Sequence, residues 1–316
     1  MVELSKVAYV FPGQGSQSTG MGLDVYKNYP SAKEVFDGAD AALGFPLSRL
    51  CFGGPEEELR KTHNVQPAIL VVSIACLKAL EETAIVNFPS PAFVAGHSLG
   101  EYTALVAAGA LGLSDAVLLV RERGRLMYEA GLTNPGSMLA VIGLDEETVT
   151  DICLQSGTEI SNINCPGQIV VSGAVQALAE ANRLAKERGA RVLIPLKVSG
   201  AFHSALMEPI MAEFSRVVAD VKLQPPVIPV IANVTARPLT DIDSIKEEMV
   251  RQLRNCIQWQ GSVEYMMHSG VTAFYEIGPG RVLSGLIRRI NSEIQTFNMS
   301  GIEDIAQLAS IESPTN

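Results

Sequence analysis

Short apolar runs alternate with amphipathic stretches along most of this chain. Lys6-Val-Ala-Tyr-Val-Phe11 reads as a buried strand and runs into Pro12-Gly-Gln-Gly15, a glycine-rich loop. Apolar positions at helical spacing predict helices over 31–43 and 66–82. An apolar run over 91–95 predicts a second strand, followed by helices over 101–110 and 114–131. The rhythm then changes. Strand 138–143, helix 146–155, strand 159–164, strand 168–172, helix 175–188 and strand 191–195 follow in the order β-α-β-β-α-β, which is ferredoxin-like. Alternation resumes with helix 205–221, strand 227–232, helices 245–253 and 262–267, strand 272–277 and a helix from Val282. Residues 312–316 read as a frayed end.

Between strand 91–95 and the next helix stands Gly96-His97-Ser98-Leu99-Gly100. Strand, Gly-x-Ser-x-Gly and helix in that order form the context in which the pentapeptide is a nucleophile elbow. Its glycines allow a sharp turn that exposes Ser98, and the backbone N–H of Leu99 opens a helix whose positive end faces a developing oxyanion. The bland reading is a βα turn with a serine cap. The expected class is therefore α/β. A large α/β-hydrolase-like domain with a parallel sheet comprises residues 1–131 and 199–316, and a small ferredoxin-like subdomain, 132–198, is inserted in it.

An elbow serine needs a base. The chain has 4 histidines. His97 lies inside the elbow, where its place beside Ser98 aims it away from the hydroxyl. His63 falls in Arg60-Lys-Thr-His-Asn64, which reads as solvated, and His268 closes a helical stretch, where a basic group suits the dipole. His203 sits in Val198-Ser-Gly-Ala-Phe-His-Ser204, a small-residue loop between the inserted unit and a long amphipathic helix. A histidine on such a loop can reach across a cleft, which makes it the candidate base. A long stretch of chain follows it, unlike an ordinary α/β-hydrolase, whose histidine comes last.

With 316 residues, 47% of them hydrophobic, the chain can bury a full core without disulfides or metal. Its 5 cysteines, Cys51, Cys76, Cys153, Cys165 and Cys256, contain no Cys-x-x-Cys and read as plain core residues. No leader and no uninterrupted apolar run of spanning length stand out, so a cytoplasmic setting without membrane contact is expected. The net charge of −10 argues against nucleic acid as a partner.

Seven segments, in order, resemble the malonyl-CoA:acyl carrier protein transacylases of bacterial-type fatty acid synthesis, a family shared with the acyltransferase domains of polyketide synthases. They are Phe11-Pro-Gly-Gln-Gly-Ser-Gln17, Gln66-Pro-Ala68, Gly96-His-Ser-Leu-Gly-Glu-Tyr102, Arg121-Glu-Arg-Gly124, Asn162-Ile-Asn-Cys-Pro-Gly-Gln168, Gly200-Ala-Phe-His203 and Glu276-Ile-Gly-Pro-Gly280. The resemblance implies ping-pong transfer through a malonyl ester on Ser98, with malonyl-CoA and acyl carrier protein as partners and no cofactor or metal. It implies the backbone N–H of Gln14 as a second oxyanion donor beside Leu99. It also implies the backbone carbonyl of Gln252 as the group orienting His203, a role in which the side chain matters little. Arg123 is implied as the cation that receives the malonyl carboxylate; Arg121 and Arg125, each two residues away, leave the helix in other directions and read as surface charges. Phe202 is implied to fill the space that an α-methyl group needs. Asn164 reads either as a pocket hydrogen-bonding group or as a polar turn residue.

Carrier proteins of this kind are acidic, so docking requires a local basic patch. Arg183, Lys186, Arg188 and Arg191 form one candidate and Arg281, Arg288 and Arg289 another; either could equally be a solvated helix face. The alternative readings are a serine hydrolase or thioesterase using the same Ser98 and His203, malonyl loading for a polyketide synthase, and a scaffold without chemistry. The last is disfavoured because Ser98, His203 and Arg123 are all present.

Overall fold

The structure is a computed structural model and describes residues 6–83 and 88–311. The expected fraying over 312–316 lies outside the described residues. Among the described residues, ten strands form two sheets. The larger contains β1 (Lys6–Phe11), β2 (Phe93–Gly96), β7 (Val230–Ile231), β8 (Pro238–Leu239), β9 (Val271–Ile277) and β10 (Gln295–Met299), in the order β10-β9-β1-β2-β7-β8. All its pairings are parallel except that of β7 with β8. This is a mixed α/β fold. Alternate residues of β1 serve opposite faces, Val7, Tyr9 and Phe11 entering one apolar core and Ala8 and Val10 the other. Helices therefore cover both faces, and that is why β1 reads as a continuous apolar run.

The core helix Thr62–Glu82 begins one turn earlier than the expected 66–82 and carries Pro67 inside it. Buried anchors extend the helix upstream: Asn64 Nδ2 donates to the Glu58 carbonyl at 2.9 Å, and the Thr62 and Ser199 hydroxyls meet at 2.9 Å. His63 is thereby half-buried on a helix and not on a solvated segment. Among the described residues this is the one helix long and apolar enough to cross a membrane, and nearly all of it is buried in the protein core.

The second sheet contains β3 (Gly136–Ile142), β4 (Glu159–Cys165), β5 (Gln168–Ala174) and β6 (Val192–Pro195), ordered β4-β5-β3-β6 and antiparallel throughout. Helices Glu146–Ser156 and Val175–Glu187 connect β3 to β4 and β5 to β6. Leu139, Val141, Ile169 and Val171 face these helices in a separate core, while Met138, Ala140 and Val170 point to the large sheet's side. Backbone hydrogen bonds from Ile163 to Ile257 and from Ile257 to Ser161 tie β4 to the rest of the chain.

Several elements differ from expectation. Strand 227–232 shrinks to β7, and helix 205–221 is a 3-10 turn, Ala205–Met207, followed by helix Glu208–Asp220. Strands β8 and β10 and helices Leu23–Asn28, Leu47–Gly53, Glu56–Arg60 and Ile302–Ile311 carry no recognised signal.

Two glycines hold the elbow close to the sheet. A Cβ on Gly96 would collide with the backbone of Gly100, and one on Gly100 with the carbonyl of Phe11. Alanine in a helix ordinarily gains up to about 1 kcal/mol over glycine. Here the obstacle is a backbone oxygen that cannot step aside, so overpacking wins. Gly100→Ala is predicted to destabilise the protein by about 1–3 kcal/mol. Urea unfolding measures this, and an unchanged or raised midpoint contradicts it.

Candidate active site

Ser98 tops the turn between β2 and helix Leu99–Ala107 with φ 51° and ψ −104°, a region that a side chain occupies only under strain. The turn is pinned on both sides. Asn233 Oδ1 accepts the Ser98 N–H at 2.7 Å, and Asn233 Nδ2 donates to the Gly96 carbonyl at 2.7 Å. His203, also at positive φ (57°), approaches from the loop after β6, and its N–H donates to the Leu253 carbonyl at 3.1 Å. Its Nε2 lies 2.9 Å from Ser98 Oγ, and its Nδ1 lies 2.6 Å from the main-chain oxygen of Gln252. A carbonyl oxygen can only accept, so Nδ1 carries the proton and Nε2 faces the serine hydroxyl as an acceptor.

Arg123 lies on helix Leu113–Thr133 and is buried completely. Its Nη1 donates to Gln66 Oε1 at 2.7 Å, and its Nη2 to Gln252 Oε1 at 2.8 Å and Ser98 Oγ at 3.1 Å. These acceptors are all uncharged, the Tyr102 ring stacks 5.2 Å away, and Nε is buried without a partner. Burial and this guanidinium together push His203 down to about 3, outweighing the opposing effect of the Gln252 carbonyl. The imidazole is thus neutral across the physiological range.

Gln252 departs from expectation. Its carbonyl stands where it was implied, but its side chain is no bystander. It is fully buried, and its Nε2 donates to the Ser98 carbonyl and to Glu101 Oε1, each at 3.0 Å. Gln66, Asn233 and Glu101 also support the site without having been singled out. Their one signal in the sequence is polarity within apolar surroundings, or membership of a motif.

A cavity of ≈ 280 Å³ opens beside Ser98. Gln14 and Leu99 line it next to Ser98, Arg123 and His203, and Phe202 borders it with Met138 and Val170. Asn164 lies on β4, not in a turn, and its Oδ1 meets His97 Nε2 at 2.9 Å. It lines the cavity beside His97, whose ring lies 5.8 Å from Trp259. His268 is exposed at a helix end. Arg125 is a surface charge paired with Glu122, Glu129 and Glu213, whereas Arg121 is half-buried over Phe45, contrary to expectation. No group of three His, Cys, Asp or Glu among the described residues could hold a metal ion.

The two basic clusters differ in surroundings. Arg183 pairs with Glu180 and Glu187, and Arg188 stands 3.7 Å from Asp151. Arg281, Arg288 and Arg289 flank or sit on helix Val282–Ile290, whose Val282, Leu283 and Leu286 line the cavity. Arg289 also donates to Gln168, another lining residue, at 2.5 Å.

The acyl transferase domain family matches over residues 8–309. Malonyl CoA-acyl carrier protein transacylase of Bacillus subtilis (strain 168) is 46% identical over 307 residues, covering 96% of each chain. Acyl-carrier-protein-S-malonyltransferase of Bartonella henselae is 39% identical with a TM-score of 0.93, over 97% of this chain and 99% of that one. A malonyl-transacylase solved in complex with a type II PKS acyl-carrier protein is 37% identical with a TM-score of 0.93, over 97% and 100%. A match along nearly the whole chain, with this serine, histidine and arginine gathered at one cavity, means that the chain belongs to the acyl transferase domain family.

Proposed function

We propose that this protein transfers malonyl groups from malonyl-CoA to the phosphopantetheine thiol of acyl carrier protein, in fatty acid synthesis, through a malonyl ester on Ser98. The observation that carries the substrate assignment is Arg123, a buried guanidinium with uncharged acceptors 3.1 Å or less away, one of them the Ser98 hydroxyl. A buried cation without a contacting anion is costly, and a ligand bringing a carboxylate removes that cost. Guanidinium suits the task because its planar fork pairs with a carboxylate through two parallel bonds.

The steps follow from the geometry. His203 Nε2 takes the proton of Ser98 Oγ, which attacks the thioester carbonyl. The N–H groups of Leu99 and Gln14 are our candidates for holding the resulting oxyanion, since both residues line the cavity beside Ser98. The C–S bond breaks, and His203 returns the proton to the departing CoA sulfur. The carrier thiol then enters, gives its proton to His203 and attacks the serine ester, and Ser98 Oγ recovers the proton. The Gln252 carbonyl stabilises the transient imidazolium less than a carboxylate would, yet fixes the same tautomer. Thioester replaces thioester, so the transfer is close to thermoneutral and needs no cofactor. Phe202, against the cavity, would exclude an α-methyl group by about 1–3 kcal/mol.

We read the small sheet as a ferredoxin-like subdomain, residues 132–198, set into a discontinuous α/β-hydrolase-like domain of 1–131 and 199–316. The strand order β4-β5-β3-β6 and the separate core under it support this reading. For carrier docking we favour Arg281, Arg288 and Arg289, whose helix borders the cavity, over Arg183, Lys186, Arg188 and Arg191, none of which lines it. Five free thiols suit a reducing cytoplasm.

Mixing with malonyl-CoA should add one malonyl group by intact mass, and Ser98→Ala should abolish that adduct. His203→Ala should slow its formation by about 10³–10⁶-fold. An undiminished adduct in Ser98→Ala contradicts the assignment. Release of free malonate as fast as CoA, with carrier protein present, would point to a hydrolase. Arg123→Ala should cost malonyl loading about 3–5 kcal/mol while acetyl loading holds steady or rises. Arg123→Lys should restore only part of the loss. A constant ratio of malonyl to acetyl loading across wild type and both variants contradicts the role of Arg123.

A further inference from the structure

Among the described residues no carboxylate hydrogen-bonds to His203 or Arg123, but one lies a single residue, Gln252, away from both. Glu101, the residue after Gly100 in the elbow, is completely buried. Its Oε1 accepts from Gln252 Nε2 at 3.0 Å, and its Oε2 accepts the backbone N–H of Asn233 at 2.6 Å. Each of those partners holds a different part of the site. Gln252 engages Arg123 through Oε1 and His203 through its carbonyl. Asn233 clamps the elbow at the Ser98 N–H and the Gly96 carbonyl.

A primary amide has one donor end and one acceptor end. Gln252 stands between a guanidinium, which can only donate, and a carboxylate, which accepts. Turned by half a rotation, its NH₂ would face the donors of Arg123 and its oxygen would face Glu101. The pair therefore fixes the amide one way round and polarises it, positive end to negative end. Glu248, also buried, accepts the Val234 N–H at 2.8 Å. Burial raises the proton affinity of both acids, and the charge of Glu248 raises that of Glu101 further. Two neighbouring buried carboxyl groups retain one negative charge more readily than two. Both oxygens of Glu101 accept N–H groups, which holds Gln252 and Asn233 in place.

We propose that Glu101 is a positioning residue for malonyl transfer. Through the Gln252 amide it orients the Arg123 guanidinium toward the acyl pocket before a substrate carboxylate arrives. The proposal rests on the malonyl-transfer reading of Ser98, His203 and Arg123, and extends it to an acid in the first turn of the helix that leaves the elbow.

Glu101→Gln preserves size but sets an NH₂ group against either Gln252 Nε2 or the Asn233 N–H. The readout is the ratio of malonyl to acetyl loading on Ser98 in single-turnover mass measurements, with thermal unfolding to establish that the variant is folded. The expected result is a fall of about tenfold or more in that ratio, because only the malonyl group brings a carboxylate for Arg123 to pair with. In an Arg123→Ala background the same substitution should leave the ratio unmoved, as coupled positions require. If Glu101→Gln slows both substrates equally and leaves the ratio intact, Glu101 is only structural and the proposal falls. Should that variant not fold, Gln252→Met cuts the same bridge while keeping the carbonyl that His203 uses. An unchanged ratio there overturns the proposal equally. A wild-type protein that takes no acyl group at Ser98 overturns both the transfer reading and this extension, whereas normal loading with an intact ratio in Glu101→Gln overturns the extension alone.

Discussion

A guanidinium sealed from water, with neutral oxygens as its hydrogen-bond partners, sets the terms for everything around it. Arg123 reaches Gln66 on the core helix, Gln252 just after helix Ile242–Arg251 and Ser98 on the elbow. Three separate parts of the chain must therefore be in register before the cation is solvated by protein dipoles. Burying an ion costs several kcal/mol even after relaxation, roughly a large share of a domain's net stability of about 5–15 kcal/mol. The fold accepts this cost where an anionic acyl group would recover part of it. The same charge acts on the base. It favours neutral His203, so the imidazole stands ready as an acceptor rather than trapped as a cation.

Strain is concentrated at the same place. Ser98 and His203 are two of the three non-glycine residues at positive φ among the described residues, and their side chains meet at 2.9 Å. Conformations of this kind cost on the order of 1–3 kcal/mol each and persist where the surroundings over-determine them. For Ser98 the surroundings are Asn233 at both ends of the turn and glycines packed against backbone at Gly96 and Gly100. For His203 they are the carbonyls of Leu253 and Gln252. Both partners of the dyad are thus set by main-chain hydrogen bonds, which leave little freedom to lose as the reaction proceeds.

The parts of the site legible in the sequence are those whose chemistry is local. Ser98 declares itself through glycines at fixed offsets between a strand and a helix, and His203 through a small-residue loop and the poor standing of the other histidines. The β-α-β-β-α-β unit is legible because short apolar runs and helical stretches follow one another there, with a Cys165-Pro-Gly167 turn between the two middle strands. Arg123 looks like one charge among several on its helix, and only the family resemblance set it apart from Arg121 and Arg125. Gln66, Asn233, Glu101 and the side chain of Gln252 are polar groups whose partners lie far away in the chain, so no window of sequence contains the contact that gives them meaning. The short strands β8 and β10 fail for a related reason. Pro238–Leu239 is too short to show a period, and Gln295–Met299 is an edge strand held by its parallel neighbour β9.

The central claim is that Arg123 waits for a carboxylate. The most direct test is calorimetric binding of malonyl-CoA and acetyl-CoA to Ser98→Ala, in which no ester can form and affinity is read without chemistry. The account predicts that malonyl-CoA binds about tenfold or more tightly than acetyl-CoA, a difference of about 1.4 kcal/mol or more. Equal affinities would mean that the guanidinium does not meet the malonyl carboxylate, and would contradict the account.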